Sequence, residues 1–310
     1  CGFPAAGETE CEGVRQIARR VKGPTLSALS RTVLADIDLV VEALEPVSPL
    51  KRAITLFIGT SPLHRDHKHE MAKAQIIDTA CRAIDYAQKH FEIISFGPED
   101  ASRTEPEFLF EVYEKAIQAG ALSIGFTDTV GILTPAKSAD IVKRIQDNVA
   151  SMDDAMLGVH FHNDLGLATA NSLACVQAGA NIVQGTVNGI GERAGNVAIE
   201  EVIMALVLHA DEFKKGVTVN PRALAGLCSL VAELTGFEPA ANKAVIAVGA
   251  IQRSWVKRRS GGGIVHQLHA RRGGDGFAGF LDAGFFRKLR GHRDGMRPHH
   301  RHPHAGHRRD

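Results

Sequence analysis

Short apolar runs recur along the first 250 residues, each followed by a polar turn and then a stretch with helical spacing. The runs at 25–29, 53–58, 91–96, 122–126, 155–161 and 181–186 predict strands. The stretches at 34–44, 70–90, 107–119, 136–145, 166–178 and 196–209 predict the helices between them. In one of these, Phe108, Val112, Ala116 and Ile117 sit at i, i+4, i+8 and i+9, one buried helical face. Gly120 and Gly179 stand just past helix ends, where a left-handed cap costs glycine little. Strands alternating with helices of roughly 10–15 residues imply a parallel sheet. Counting Gly2-Phe3-Pro4 as the end of a further strand gives seven β/α units, one short of a closed (β/α)8 barrel. A doubly wound open sheet is the alternative.

Polar clusters choose between the two. They follow the predicted strands at Ser30-Arg31, Thr60-Ser61, Pro98-Glu99-Asp100, Thr127-Asp128-Thr129, His160–Asp164 and Asn188–Asn196. In a barrel all such ends converge on one site, whereas in an open sheet only those at the switch point meet. The barrel is therefore the expectation. A low aromatic share of 5% argues against a β-sandwich. No apolar run reaches the ~18 residues of a membrane span, and no signal peptide is visible at the N-terminus. Five cysteines at 1, 11, 81, 175 and 228 form no C-x-x-C pair and read as reduced, cytoplasmic thiols.

Charge divides the chain. Residues 251–310 hold 12 Arg and 2 Lys against 4 Asp and no Glu, and they carry 8 of the 15 His. The first 250 residues hold 22 basic against 31 acidic side chains. The change of composition starts near Val248. A disordered basic tail for nucleic acid and a His-rich metal tract are two readings. The one preferred here is a stretch read out of frame, because shifted GC-rich codons give Arg, Gly, His and Pro.

Two clusters carry chemistry. His160 and His162 are i and i+2 at a strand end, so they project from one face as two metal ligands would. For a bare H-x-H pair, two satisfied structural histidines would be the commoner reading. The strand-end position and the polar Asn163-Asp164 that follow shift the balance to metal. Asn188-Gly189-Ile190-Gly191-Glu192-Arg193-Ala194-Gly195-Asn196 reads either as a Gly-rich loop capped by Asn196 at the next helix or as a tight loop that brings Asn196 to the site as an oxygen ligand. Glu192 and Arg193 are placed to pair with neighbouring loops. His64, His67 and His69, among charged residues, read as a solvated helix start. Cys175 falls on an apolar helix face and reads as core.

These residues resemble a family. His160–Ala168 and the Asn188–Asn196 loop look like the metal and loop motifs of the 2-isopropylmalate synthase family, metal-dependent Claisen-condensing barrels with homocitrate and citramalate synthases beside it. Gly2-Phe3-Pro4, Phe57–Pro62, Glu99–Arg103 and Asp128–Gly131 match as well. Pro239–Ala244 resembles its post-barrel linker. The resemblance covers roughly residues 1–246. It implies an acyltransferase that condenses acetyl-CoA with a 2-oxo acid, 3-methyl-2-oxobutanoate, in leucine biosynthesis. It implies His160, His162 and Asn196 as ligands of a divalent ion (Mn²⁺, Mg²⁺ or Zn²⁺). By the same resemblance Glu99 belongs to the proton relay, Thr129 orients the oxo acid, and Arg31 and His64 lie at the oxo-acid end. The partners implied are small-molecule substrates and a second copy in a homodimer, without membrane or nucleic acid.

The expectation is thus an α/β fold, an incomplete TIM barrel over residues 1–212 with strands 2–8 present. A helical post-barrel stretch follows at 213–246, and the basic tail at 247–310. The family's Arg-Asp-Gly-Glu strand is absent, and Gly263-Ile264-Val265-His266 is a faint echo of its Ser-Gly-Ile-His motif. Gly97 stands where a Ser is usual, and Phe126-Thr127 replaces an Ile-Pro-like pair. These departures predict impaired turnover and leave open a non-catalytic remnant with a nucleic-acid-binding tail. A lyase is a third reading, but the Cys228 segment does not offer the reactive Gly-rich loop that reading needs.

Overall fold

The computed structural model describes residues 1–240 and 242–246. The basic tail, the composition change and the 263–266 motif lie outside the described residues. Six strands, β1 (Leu26–Arg31), β2 (Arg52–Gly59), β3 (Ile93–Glu99), β4 (Ser123–Asp128), β5 (Met156–Phe161) and β6 (Ile182–Gln184), form one parallel sheet in the order β1-β2-β3-β4-β5-β6. Each strand lies beside its sequence neighbour, so the winding never reverses. That is the connectivity of a barrel segment, not of a doubly wound sheet.

Among the described residues ten helices accompany the strands. They are α1 (Glu8–Arg20), α2 (Leu34–Ala43), the short α3 (Pro62–His64), α4 (Lys73–Ala87), α5 (Pro106–Ala119), α6 (Pro135–Asn148), α7 (Ala168–Ala178), α8 (Ile199–Leu208), the short α9 (Ala210–Phe213) and α10 (Leu224–Thr235). Their ends follow local chemistry. Pro106 and Pro135 open α5 and α6, where a missing N–H does no harm. Gly120 and Gly179 close α5 and α7 at φ 122° and 115°, as expected. Asn196 does not cap α8: the N-cap is Ala198, and Val197 between them belongs to the loop's return path. The Gly2–Pro4 segment forms no strand, which leaves six strands where seven were counted. It does lie along β1, with Leu29 N–H donating to Gly2 O at 2.9 Å and the Cys1 amino group bonded to Ser27 O.

The sheet has two unlike faces. Ile54, Leu56 and Ile58 of β2, with Ile94 and Phe96 of β3, pack against α1, α2 and α4. Phe126, Val159 and Phe161 continue this layer against α5, α6 and α7, where Val112's neighbour Tyr113 and Cys175 are fully buried. Cys175 is core, as read. The opposite face carries Ala53, Ile93, Leu122 and Met156 as a small apolar cluster at the strand starts. Above it, Ser27 meets Thr55 at 3.0 Å and Ser95 meets Ser123 at 2.6 Å. Next along this face come Gly97, Gly125 and Gly158, with Gly125 opposite Gly158. Small residues at this depth keep the inner face open beneath the strand ends. A Cβ on Gly97 would lie 3.8 Å from Gly125 O, so a serine would fit there too.

The β2 end is held by a buried cation. Arg65 opens a π turn, Arg65–His69, that continues α3. Its guanidinium donates twice to Glu105 at 2.8 Å and once to Thr60 O at 2.8 Å, over the Phe108 ring. The Arg65 guanidinium holds the Glu105 carboxyl down at about 2, against an ordinary 4.5. A depressed carboxyl stabilises the fold above its unfolded pKa and loses that contribution as pH falls toward the folded value. Glu105→Gln should therefore cost about 1–2 kcal/mol at neutral pH, the Glu105 side being part-exposed. Urea unfolding of the two proteins should show a gap that is constant above pH 4.5 and shrinks as pH falls toward 2. A gap that widens on acidification would contradict this account.

Candidate functional site

Residues of one strand parity face the inner side, and the expected site residues share it. Glu99 ends β3, His160 lies opposite both Thr127 of β4 and Gln184 of β6, and Gly59 lies opposite Glu99. Thr129 and His162 continue β4 and β5 on the same parity. The structure thus brings the C-terminal strand ends to one edge.

His160 and His162 have ring centroids 5.2 Å apart, with planes inclined at 60°. Burial, helped by the neighbouring His162, pushes the His160 imidazole down to about 4. Burial also lowers His162, with the nearby Arg193 charge adding to it. Both rings are therefore neutral at pH 7, the form in which an imidazole lone pair binds a metal. Asn196 forms an antiparallel bridge with His162, so the Gly-rich loop does return to the histidine pair. His162 Nδ1 and Asn196 Oδ1 are both buried without a hydrogen-bond partner. So is Asp128 Oδ1, while its other oxygen accepts Leu133 N–H at 2.9 Å. Among the described residues no group of three or more His, Cys, Asp or Glu side chains could hold a metal. Two neutral histidines and an amide oxygen are donor types that a divalent ion accepts.

The loops are sewn to one another. Asp100, at φ 64°, donates its N–H to Thr129 Oγ1 at 2.9 Å. That fixes the Thr129 oxygen and leaves its hydroxyl proton free to point elsewhere. Arg193 grips Asp164 through two bonds of 2.8 and 2.7 Å and donates to Thr129 O at 2.7 Å. Glu192 lies 3.6 Å from Arg193 itself. Asn163 N–H reaches Gly195 O, and Val197 N–H reaches Phe161 O. Gly131, at φ 61°, permits a close contact: a Cβ would stand 2.5 Å from Asp164 Oδ2 and 2.9 Å from His162 O.

The β2 and β3 ends make a second group. Lys68 Nζ is 2.6 Å from Glu99 Oε2, and His64 Nδ1 is 3.9 Å from the same oxygen. His64 lies over Gly59, where any Cβ would collide with its ring. His64 Nδ1 is buried without a hydrogen-bond partner. His69 is not part of a solvated helix start. It folds back so that its Nε2 accepts Gly59 N–H at 3.2 Å, and its ring meets His64 edge-on. Burial, with the adjacent Lys68 charge, lowers its basicity. The π turn that carries it is a frequent feature of functional sites and leaves no mark in hydrophobic spacing. Arg31 is not drawn into either group. It ends β1 and pairs with Asp36 of α2 at 2.5 and 3.0 Å.

Comparison with known proteins gives the family of the chain. The HMGL-like family matches residues 1–224. The chain is 44% identical over 249 residues to a 2-isopropylmalate synthase of Pyrococcus furiosus, covering 80% of this chain and 50% of that protein. It is 41% identical to a 2-isopropylmalate synthase of Clostridium kluyveri, with 80% and 48% covered. The chain thus spans about half the length of the curated relatives it matches. A hydroxymethylglutaryl-CoA lyase structure from Pseudomonas aeruginosa is similar in fold, with a TM-score of 0.64 at 18% identity over 82% of each chain. The family match extends from the first residue through all six strands and the Gly-rich loop, and on that ground the chain belongs to the HMGL-like family.

Proposed function

We propose that this chain carries the condensing site of a 2-isopropylmalate synthase, joining acetyl-CoA to 3-methyl-2-oxobutanoate in leucine biosynthesis. The observation that carries this reading is the strand-end group of neutral His160 and His162 beside Asn196, with His162 Nδ1 and Asn196 Oδ1 lacking any protein partner. Buried polar atoms are normally satisfied, so two orphans side by side call for a ligand. The relatives' names supply the substrate class. A divalent ion held by His160, His162 and Asn196 would supply Lewis acidity to the ketone of the oxo acid.

The chain's own residues then divide the work. Thr129, its oxygen fixed by Asp100 N–H, offers its hydroxyl proton to the oxo-acid carboxylate. Glu99 accepts the proton that leaves the acetyl methyl group, directly or through a relay, with Lys68 holding its other side. The acetyl carbon bonds to the keto carbon, the keto oxygen ends as a hydroxyl, and water cleaves the thioester to release CoA. His64 and Arg31 flank the oxo-acid end. Arg31 must leave Asp36 to reach a substrate. Among the described residues no helix is long and apolar enough to cross a membrane. The free cysteines suit a cytoplasmic protein.

Mn²⁺ titration followed by the electron-spin signal of the free ion tests the metal site. The wild-type chain should show saturable uptake of one ion, and His160→Ala or His162→Ala should abolish it. Equal stoichiometry in the variants would remove this reading. For the substrate, calorimetry with Mn²⁺ present should detect binding of 3-methyl-2-oxobutanoate. Thr129→Val should weaken that binding about tenfold, the loss of one hydrogen bond to a charged group. Binding that is equally strong without Mn²⁺ would overturn the assignment.

A further inference from the structure

The motif around Lys243 takes no part in the site as described, yet it is packed behind the metal loop. Glu200, the second residue of α8, is fully buried. Its Oε2 accepts Asn188 N–H at 3.1 Å, and its Oε1 has no hydrogen-bond partner. Lys243 Nζ lies 3.8 Å from that Oε1 and is also paired with Glu201. Among the described residues no other cation reaches Glu200. Glu201 is in turn held by Thr169 of α7 at 2.6 Å. A carboxylate taken out of water needs a counter-charge, and removing the only one leaves an uncompensated buried charge.

Glu200 holds the loop where its backbone first turns left-handed. Asn188 is in the left-handed region, φ 63° and ψ 6°, a conformation asparagine adopts more readily than most residues with a Cβ. Its N–H goes to Glu200, and its Nδ2 donates to Cys228 O of α10 at 2.9 Å. The next residue, Gly189, accepts Asn196 N–H through its carbonyl at 3.0 Å. Gly195 packs so tightly on that same carbonyl that a Cβ would collide with it. One chain of contacts thus runs from Glu200 through Asn188 and Gly189 to Asn196 beside His162, next to the bonds that Cys228 O and Phe161 O accept from the same loop.

We propose that Lys243 is a positioning residue for the metal loop: by neutralising buried Glu200 it clamps Asn188, and through Gly189 it sets Asn196 against His162. The linker segment is thereby coupled to the ligand geometry, and displacing it loosens Asn196. The clamp bears on metal binding only if the metal reading above holds, whereas the loop's rigidity can be read with no metal present.

The test is amide exchange by NMR on the full 310-residue chain without metal, comparing wild type with Lys243→Met, Lys243→Arg, Glu200→Gln and the Glu200→Gln/Lys243→Met double variant. In Lys243→Met the Asn188 and Asn196 amides should exchange about tenfold faster, as expected for a local opening, while Ile54 and Ile94 keep wild-type protection. Lys243→Arg should retain wild-type exchange. In the neutral Glu200→Gln background Lys243→Met should add nothing, the signature of two residues acting through one contact. Less than a twofold change at both amides, protection lost equally at Ile54 and Ile94, or the same increment in both backgrounds would overturn the proposal. Mn²⁺ affinity, measured alongside, should fall about tenfold in Lys243→Met, the range seen when support behind a ligand is removed. Affinity equal to wild type would likewise overturn it. A wild-type chain that takes up no Mn²⁺ would refute the metal reading instead and leave the exchange data to decide the clamp.

Discussion

A parallel sheet wound in sequence order puts every C-terminal strand end on one edge, and the backbone groups there need partners. Everything at the site follows from how that need is met. Thr60 N–H goes to Glu99 O, His162 N–H to Asp128 O, Val197 N–H to Phe161 O and Asn196 N–H to Gly189 O. The first three bonds join neighbouring strand-end segments, the fourth closes the Gly-rich loop on itself, and Asp100 N–H on Thr129 Oγ1 links the β3 and β4 ends. Side chains borrow this stitching for their own placement. Thr129 is fixed because Asp100 spends its N–H on it, and Asp100 adopts φ 64° because the chain must turn sharply there, with Arg103 gripping its carboxylate.

Charge on this rim is arranged in matched pairs. Arg31 is with Asp36, Lys68 with Glu99, Arg103 with Asp100, and Arg193 with Asp164. Four cations thus lie along an edge where anionic substrates are proposed to bind, and each already has a carboxylate. A substrate carboxylate must compete with these partners, and one that drew Arg31 away would leave the buried Asp36 carboxylate without its cation. The Arg193–Asp164 pair plays a different part. It crosses between the two loops that carry Asn196 and His162, and its third bond, to Thr129 O, brings the β4 loop into the same unit.

The fold was largely legible, and the reasons are local. Expected strands and helices agree with the observed ones to within a few residues, because alternation and helical spacing record which face is buried. The same spacing identified Phe108, Val112, Ala116 and Ile117 as core, and all four are buried. Gly2–Pro4 misled, because a segment bonded along a strand edge without a continuous ladder looks like a strand end in sequence. The site was legible where one strand supplies it: His160 and His162 needed only a period of two. It was not legible where partners are far apart. Nothing near Lys68 announces Glu99, 31 residues on, and nothing near Asn188 announces Cys228, 40 residues on. His69 was misjudged for the same reason, since its partner Gly59 lies across a π turn that no periodicity encodes.

The state of the histidines ties fold to chemistry. Two imidazoles 5.2 Å apart on one strand would repel each other if both were protonated, and burial adds to the cost of charging either. A barrel interior of small residues makes room for the pair, and the apolar cluster below leaves it little contact with water from that side. Neutral rings alone do not define a metal site, because most buried histidines are neutral and satisfied. His160 is hydrogen-bonded to Gln184, and what stands out is its neighbourhood: His162 Nδ1, Asn196 Oδ1 and Asp128 Oδ1 are all buried without a hydrogen-bond partner. Each such atom costs about 1–3 kcal/mol. A cation shared by His162 and Asn196 would recover most of that cost, and this is the physical content of the proposed site.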